Sequence, residues 1–204
     1  MTQNTFKRFI SIVGQPTEFI KEMEEVMKAH SAISGVLSSY SVLYENLSEI
    51  FKRDLSFESL SSDEKFPSAI TITAHEPRTF YSKMGRGVFG VSEFVGATFQ
   101  TPRELLEFFE KKVGAKAYGE GWLKSLLLER MVNSGRGVYL VKDVTLNDLE
   151  ALKAVYGDML AVVQVAEGDE SISDVADVLA QKTDNVNEET IKVMSELKEK
   201  WKIK

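Results

Sequence analysis

Two stretches of this chain, Phe6–Val13 (FKRFISIV) and Met159–Ala166 (MLAVVQVA), are apolar and rich in β-branched residues, and both are too short for a globular helix. A strand with one wet face alternates apolar and polar residues. A continuous apolar run, as in Met159–Ala166, is buried on both faces, as in parallel sheets covered by helices on both sides. Parallel strands need long crossover connections, and the intervening sequence supplies helical patterns for them. The chain therefore reads as an α/β layered domain with a largely parallel sheet.

The first run is stopped by Gly14-Gln15-Pro16, after which Thr17 is placed to cap a helix carrying Phe19, Ile20, Met23, Val26, Met27 and His30 at helical spacing. Tyr40–Arg53 repeats that spacing through Leu43, Tyr44, Leu47, Ile50 and Phe51. Asp54–Pro67 is polar and serine-rich, Ala69–Thr73 alternates like an edge strand, and Arg78–Gly96 has no sustained period. Exposed aromatics in the last segment (Phe80, Tyr81, Phe89, Phe94) read either as partner anchors or as packing under a lid. Thr101-Pro102-Arg103-Glu104 is a capping box with proline at the first helical position; its helix buries Leu105, Leu106, Phe108 and Phe109 and is expected to stop at Gly114. A second helix runs from about Glu120 to Val132. Gly135-Arg136-Gly137 then turns into the strand Val138–Val144, Leu146–Tyr156 is a helix ended by Gly157, Ile172–Gln181 reads as helical, and Asn187 caps a final helix. Residues 1–204 are expected to form one domain, with a lid or insert at 54–100.

Composition narrows the chemistry. Of the 204 residues none is cysteine, which removes disulfides, thiolate zinc sites and a cysteine nucleophile. The two histidines, His30 and His75, sit in unrelated contexts, so neither a histidine metal site nor a Ser-His-Asp triad is expected. A net charge of −6 argues against nucleic-acid backbone binding. No signal peptide or membrane span is read, so a soluble cytoplasmic protein is expected, without membrane contact.

Ligands of such sheets lie beyond the carboxyl ends of the strands, which points to Gly14–Thr17, Asp143–Asn147 and Glu167–Asp169. A phosphate-binding loop needs a glycine-rich bulge of N–H groups, a lysine, and a hydroxyl for Mg²⁺. Here Val13-Gly14-Gln15-Pro16-Thr17-Glu18 is several residues too short. Pro16 lacks an N–H, no lysine precedes Thr17, and Glu18 sets a negative charge where phosphate would bind. Gly14 and Thr17 are thus either a minimal loop holding one phosphate or a plain strand-to-helix turn. Asp143 is either a metal-side carboxylate or a bystander to a cap at Thr145 or Asn147. Arg78, Arg86, Arg103, Arg130 and Arg136 are candidate grips for phosphate or a partner, although Gly-Arg-Gly segments are also ordinary turns.

With these segments placed, the sequence resembles the deoxynucleoside monophosphate kinases of tailed bacteriophages and their bacterial relatives, of the P-loop kinase fold. Thr101-Pro102-Arg103-Glu104-Leu105-Leu106 followed by Gly119-Glu120-Gly121-Trp122-Leu123-Lys124 is similar to that family's "TPRELL … G-x-x-W-x-x" helix pair. Val138–Val165 resembles its strand, "DVRFPNE" motif, helix and strand. Ile172–Lys200 resembles its closing segment, and Ser38–Phe51 its "FADPLK" helix. The resemblance implies a three-layer nucleoside monophosphate kinase-like domain, phage-encoded and active in the host cytoplasm.

The departures fall on the phosphate-handling residues. The family's Gly-Lys loop is reduced to Gly14-Gln15-Pro16-Thr17, its "PLK" lysine stands as Tyr44, and the arginine of "DVRFPNE" stands as Thr145. The arginine expected near Val113–Gly119 is missing, with Lys116 as a substitute, and Arg103 alone keeps its motif position. Phosphoryl transfer rests on positioning and positive charge, and one electrostatic donor is worth ~3–4 kcal/mol, so joint loss implies negligible turnover. The resemblance thus implies a catalytically inactive relative with no cofactor that binds a protein partner, with homo-oligomers an option. The alternatives are an active kinase using ATP and Mg²⁺, with Arg78, Arg86 and Arg103 on the phosphates and Asp143 near the metal, or a nucleotide sensor without turnover.

Overall fold

In the computed structural model, residues 7–14, 17–53, 65–85, 87, 90–166 and 173–202 are described, and the chain divides into two compact units. The first comprises Met1–Ser38 and Arg130–Lys204, the second Ser39–Glu129.

The first unit is built on the two apolar runs. They form β1 (Lys7–Gly14) and β6 (Leu160–Ala166), which lie side by side and parallel with Phe9 opposite Leu160 and Gly14 opposite Val165. Three further strands, β2 (Gly35–Ser38), β5 (Gly137–Lys142) and β7 (Val178–Gln181), complete a five-stranded parallel sheet of order β2-β5-β1-β6-β7. Successive side chains of β1 point to opposite faces. Ile10 packs with Phe19, Met23 and Met27 of α1 (Thr17–Ala29) and with Val193 and Leu197 of α8 (Val186–Lys200). Phe9 looks the other way and meets Tyr156 of α7 (Leu146–Tyr156) edge-on, ring centroids 5.1 Å apart. Helices on both faces of one sheet give the expected three-layer α/β arrangement.

The second unit is mostly helical: α2 (Ser41–Phe51), α3 (His75–Lys83), α4 (Pro102–Phe108), α5 (Ala115–Tyr118) and the first part of α6 (Trp122–Asn133), with a two-stranded antiparallel ribbon of β3 (Ile70–Thr71) and β4 (Thr98–Phe99). Its core gathers Leu43, Leu47, Phe80, Tyr81, Phe94, Leu105, Phe109 and Trp122. Phe80 contacts both Phe109 and Trp122 edge-on, at 5.4 and 6.2 Å.

Several expectations are corrected. Ile172–Gln181 is not a helix; its described part ends in β7, whose Val178 and Ala180 point inward beside β6. Four residues of V-L-A-Q are too few for periodicity to separate strand from helix. Arg78–Gly96 is not without regular structure, because α3 runs through Lys83 and a 3₁₀ turn covers Ser92–Phe94. Phe80, Tyr81 and Phe94 are buried, so packing and not exposure accounts for them, and Phe89 lies outside the described residues. Helix structure continues past Gly114 as a π segment (Phe109–Gly114) and α5, ending at Gly119, whose φ is +87°. Gly114 serves packing: a Cβ there would lie 2.5 Å from the Trp122 ring. The final helix is capped by Asn185, not Asn187, through the Glu188 N–H. Strand β2 has no counterpart in the sequence reading.

Candidate functional site

Because the sheet is parallel, the ends Gly14, Ser38, Lys142, Ala166 and Gln181 share one edge. Strand β1 feeds α1 on one face, whereas its neighbour β5 feeds α7 on the other. The adjacent chain paths part between Gly14 and Asp143, and such a switch point is where open α/β sheets bind ligands.

Only residues 15 and 16 separate the strand end at Gly14 from the helix start at Thr17. Gln15, Pro16 and the Thr17 side chain lie outside the described residues. Gly14 has φ +118°, and a Cβ on it would fall 2.2 Å from the Val165 carbonyl oxygen. The register of β1 against β6 therefore accounts for glycine here without any ligand.

On the β5 side, Asp143 takes a left-handed backbone, φ +60°, a conformation that Asp adopts more readily than most residues. The hydroxyl of Ser38, at the end of β2, donates to Asp143 Oδ2. Just before it, Lys142 Nζ lies 2.8 Å from Oε2 of Glu24, a carboxylate of α1 that is almost fully buried. Lys142, the cation that precedes Asp143, is thus committed to a partner within the fold. Thr145 caps α7 and Asp148 closes the box, each accepting from the other's backbone N–H, so the polar residues after Asp143 serve the helix. Among the described residues no three His, Asp or Glu side chains form a group able to hold a metal.

The helix ends set the field of this edge. The α1, α7 and α8 first turns carry Glu18, Asp148, and Glu188 with Glu189; their last turns carry Lys28, Lys153, and Lys198 with Lys200. Each arrangement offsets a helix dipole, and together they put carboxylates where a phosphate would approach helix N-termini. A shallow cleft of about 480 Å³ between α1 and the start of α8 continues the trend, with Glu22, Glu25 and Asp184 in its wall.

The other candidates do not gather here. Arg136 is exposed and precedes β5, so it sits at the opposite, amino-terminal edge of the sheet. Arg78 on α3 and Arg103 on α4 are exposed and belong to the second unit, and Arg86 lies outside the described residues, as do Glu167–Asp169. Lys116 is held within the second unit by Glu93 at 2.6 Å and the Gly90 carbonyl at 2.9 Å, with Phe94 beneath it. Tyr44 stacks on Tyr40, centroids 5.7 Å apart. His30 and His75 are exposed, bonded to Asn187 and Thr79.

Sequence reasoning missed Ser38, Glu24 and Lys142 at this edge. Ser38 is 105 residues from Asp143, and Glu24 is 118 residues from Lys142. No local motif marks either pairing.

No protein-family model and no curated protein matches this chain. Among solved structures, the dephospho-CoA kinase from Campylobacter jejuni is similar over 94% of this chain and 97% of its own, at 15% identity and a TM-score of 0.37.

Proposed function

We propose that this protein is a kinase-like α/β scaffold that performs no phosphoryl transfer and acts by binding a macromolecular protein partner, phage-encoded and working in the host cytoplasm. The observation that carries the reading is the two-residue join between Gly14 and Thr17. A phosphate is cradled by successive N–H groups of a glycine-rich loop, and a join of this length supplies too few. The pairing of Lys142 with Glu24 supports it, since a cation facing a buried carboxylate is poorly placed to stabilise a transferring phosphoryl group. The acidic first turns of α1, α7 and α8 weigh the same way. Phage origin rests on the sequence resemblance. What supports partner binding is a folded chain whose ligand edge is poorly suited to phosphate chemistry.

The test is ADP release from ATP and Mg²⁺ with each deoxynucleoside monophosphate, alongside thermal shift with the same nucleotides. We expect no release above the spontaneous rate and no shift, where saturation at 100 times Kd would add ~2.7 kcal/mol of stability. ADP production abolished by Arg103→Ala would overturn the reading in favour of an active kinase.

A further inference from the structure

At the amino-terminal edge of the first unit's sheet the charge pattern is reversed. Strands β1, β5 and β6 begin there, and α7 and α8, which run antiparallel to the strands they follow, end there with their lysines. The contacts fix the neighbours: Lys7 Nζ donates to the carbonyl of Val132 at 3.0 Å, Trp201 Nε1 donates to that of Asp158 at 2.9 Å, and Arg8 lies over the Trp201 ring. Lys153 and Lys200 share the single carboxylate of Asp177, each at 2.7 Å, leaving one positive charge over. Arg136 and Lys202 add to the same end, against the carboxylates of Asp158 and Glu199. A chain of net charge −6 thus presents a positive edge.

That edge is also apolar. Among the described residues the large exposed apolar side chains are Val36, Val95, Val132, Val155, Met159 and Ile191. Half of them, Val132 (66% exposed), Val155 (67%) and Met159 (38%), stand here, where α6 and α7 end and β6 begins. Helix-dipole compensation explains the lysines of the last turns. Lys7 likewise holds the last carbonyls of α6, those of Met131 and Val132, but neither device explains valines left in water beside these cations.

We infer that this edge docks an acidic segment of a partner protein, whose carboxylates face Lys7, Arg136 and the surplus lysine charge at Asp177 and whose apolar side chains cover Val132, Val155 and Met159. Charge complementarity selects the occupant, and interfaces combine such apolar cores with charged rims. This rests on the reading that the protein works through a macromolecular partner, and it names the chemistry of that partner.

The probe is a fluorescein-labelled peptide of alternating Asp-Glu pairs and Leu, followed by anisotropy and compared with a single-stranded DNA oligonucleotide of equal charge. The wild type is expected to bind the peptide, less tightly as salt is raised, and Val132→Ser/Val155→Ser/Arg136→Glu to bind at least about tenfold more weakly. Val36→Ser, an exposed valine on β2, serves as the control and is expected to bind as the wild type does. Exposed substitutions of this kind leave the fold intact, which thermal unfolding of each variant verifies. Failure of the wild type to bind overturns the inference, as does equal binding by the triple variant. Tighter binding of the oligonucleotide, or self-association abolished by the triple substitution, replaces the partner with nucleic acid or a second copy. None of these outcomes touches the absence of turnover, which stands or falls on ADP release.

Discussion

A methyl group at Gly14 separates what the sheet requires from what a ligand would require. The new Cβ meets the Val165 carbonyl oxygen at 2.2 Å, and φ +118° is strained for any side chain. Strain of this kind costs about 1–3 kcal/mol and overpacking about as much again, so Gly14→Ala is expected to lose roughly 2–6 kcal/mol in urea unfolding whether or not nucleotide is present. A glycine kept for phosphate would instead leave stability unchanged and lose affinity. Ser11, three residues earlier, makes the opposite case. It is 1% exposed and its hydroxyl has no hydrogen-bond partner among the described residues. A buried unmade hydrogen bond costs about 1–3 kcal/mol, so Ser11→Ala is expected to be neutral or to raise the urea midpoint.

Helices announced themselves where a side chain closes a local ring, and strands where burial runs unbroken. The Thr101–Glu104 box was legible because its two hydrogen bonds span three residues. A related ring precedes α3, whose N-cap Ala74 makes no side-chain bond: Glu76 accepts from the Thr73 N–H and hydroxyl, each at 2.7 Å, and the Thr73 hydroxyl accepts from His75 N–H. In the sequence Thr73 closes an alternating stretch that reads as an edge strand, which hides the ring. Strands β2 and β7 are four residues each and give no period. Gly114 reads as a stop because glycine usually ends helices, and only the Trp122 ring, brought round by α6, reveals its packing role. The π segment that contains it holds its carbonyls with side chains, Tyr81 OH on Val113 O at 2.9 Å and Trp122 Nε1 on Glu110 O at 3.1 Å. Burial, then Glu93 and Tyr118, push the Tyr81 phenol up to about 12. With the folded value above the unfolded one near 10, the Tyr81 contribution is complete below that pH and fades as pH rises towards 12. Tyr81→Phe is therefore expected to lose about 1–3 kcal/mol at neutral pH and to show a shallower alkaline decline, read by urea unfolding across pH 8 to 11.

The candidate site follows a different logic, because its geometry is a property of the assembled sheet. The sequence could say which strand ends matter, since a parallel sheet puts them on one edge. It could not say that Glu24 would neutralise Lys142, or that Ser38 would meet Asp143. The first unit as a whole is closed at its other end by one carboxylate. Asp177 accepts from Lys153 of α7, from Lys200 of α8 and from the N–H of Val162 in β6, so one side chain ties both helical layers to the sheet between them. Burial works to raise its pKa, but the two lysines and the Val162 N–H outweigh it and hold the carboxyl below the usual carboxylate range. A depressed folded value means that the unfolded chain binds the proton more readily, so this stabilisation is complete above the unfolded value near 3.9 and is lost as pH falls through the folded one. Asp177→Asn keeps the shape and removes the charge, and with hydrogen bonds to charged groups worth about 1.5–3 kcal/mol the variant should be destabilised by that order at pH 7. Its stability should then fall less steeply than that of the wild type between pH 5 and pH 2, until the two acid limbs converge. Parallel acid limbs in urea unfolding would mean that the Asp177 charge adds nothing to joining the layers.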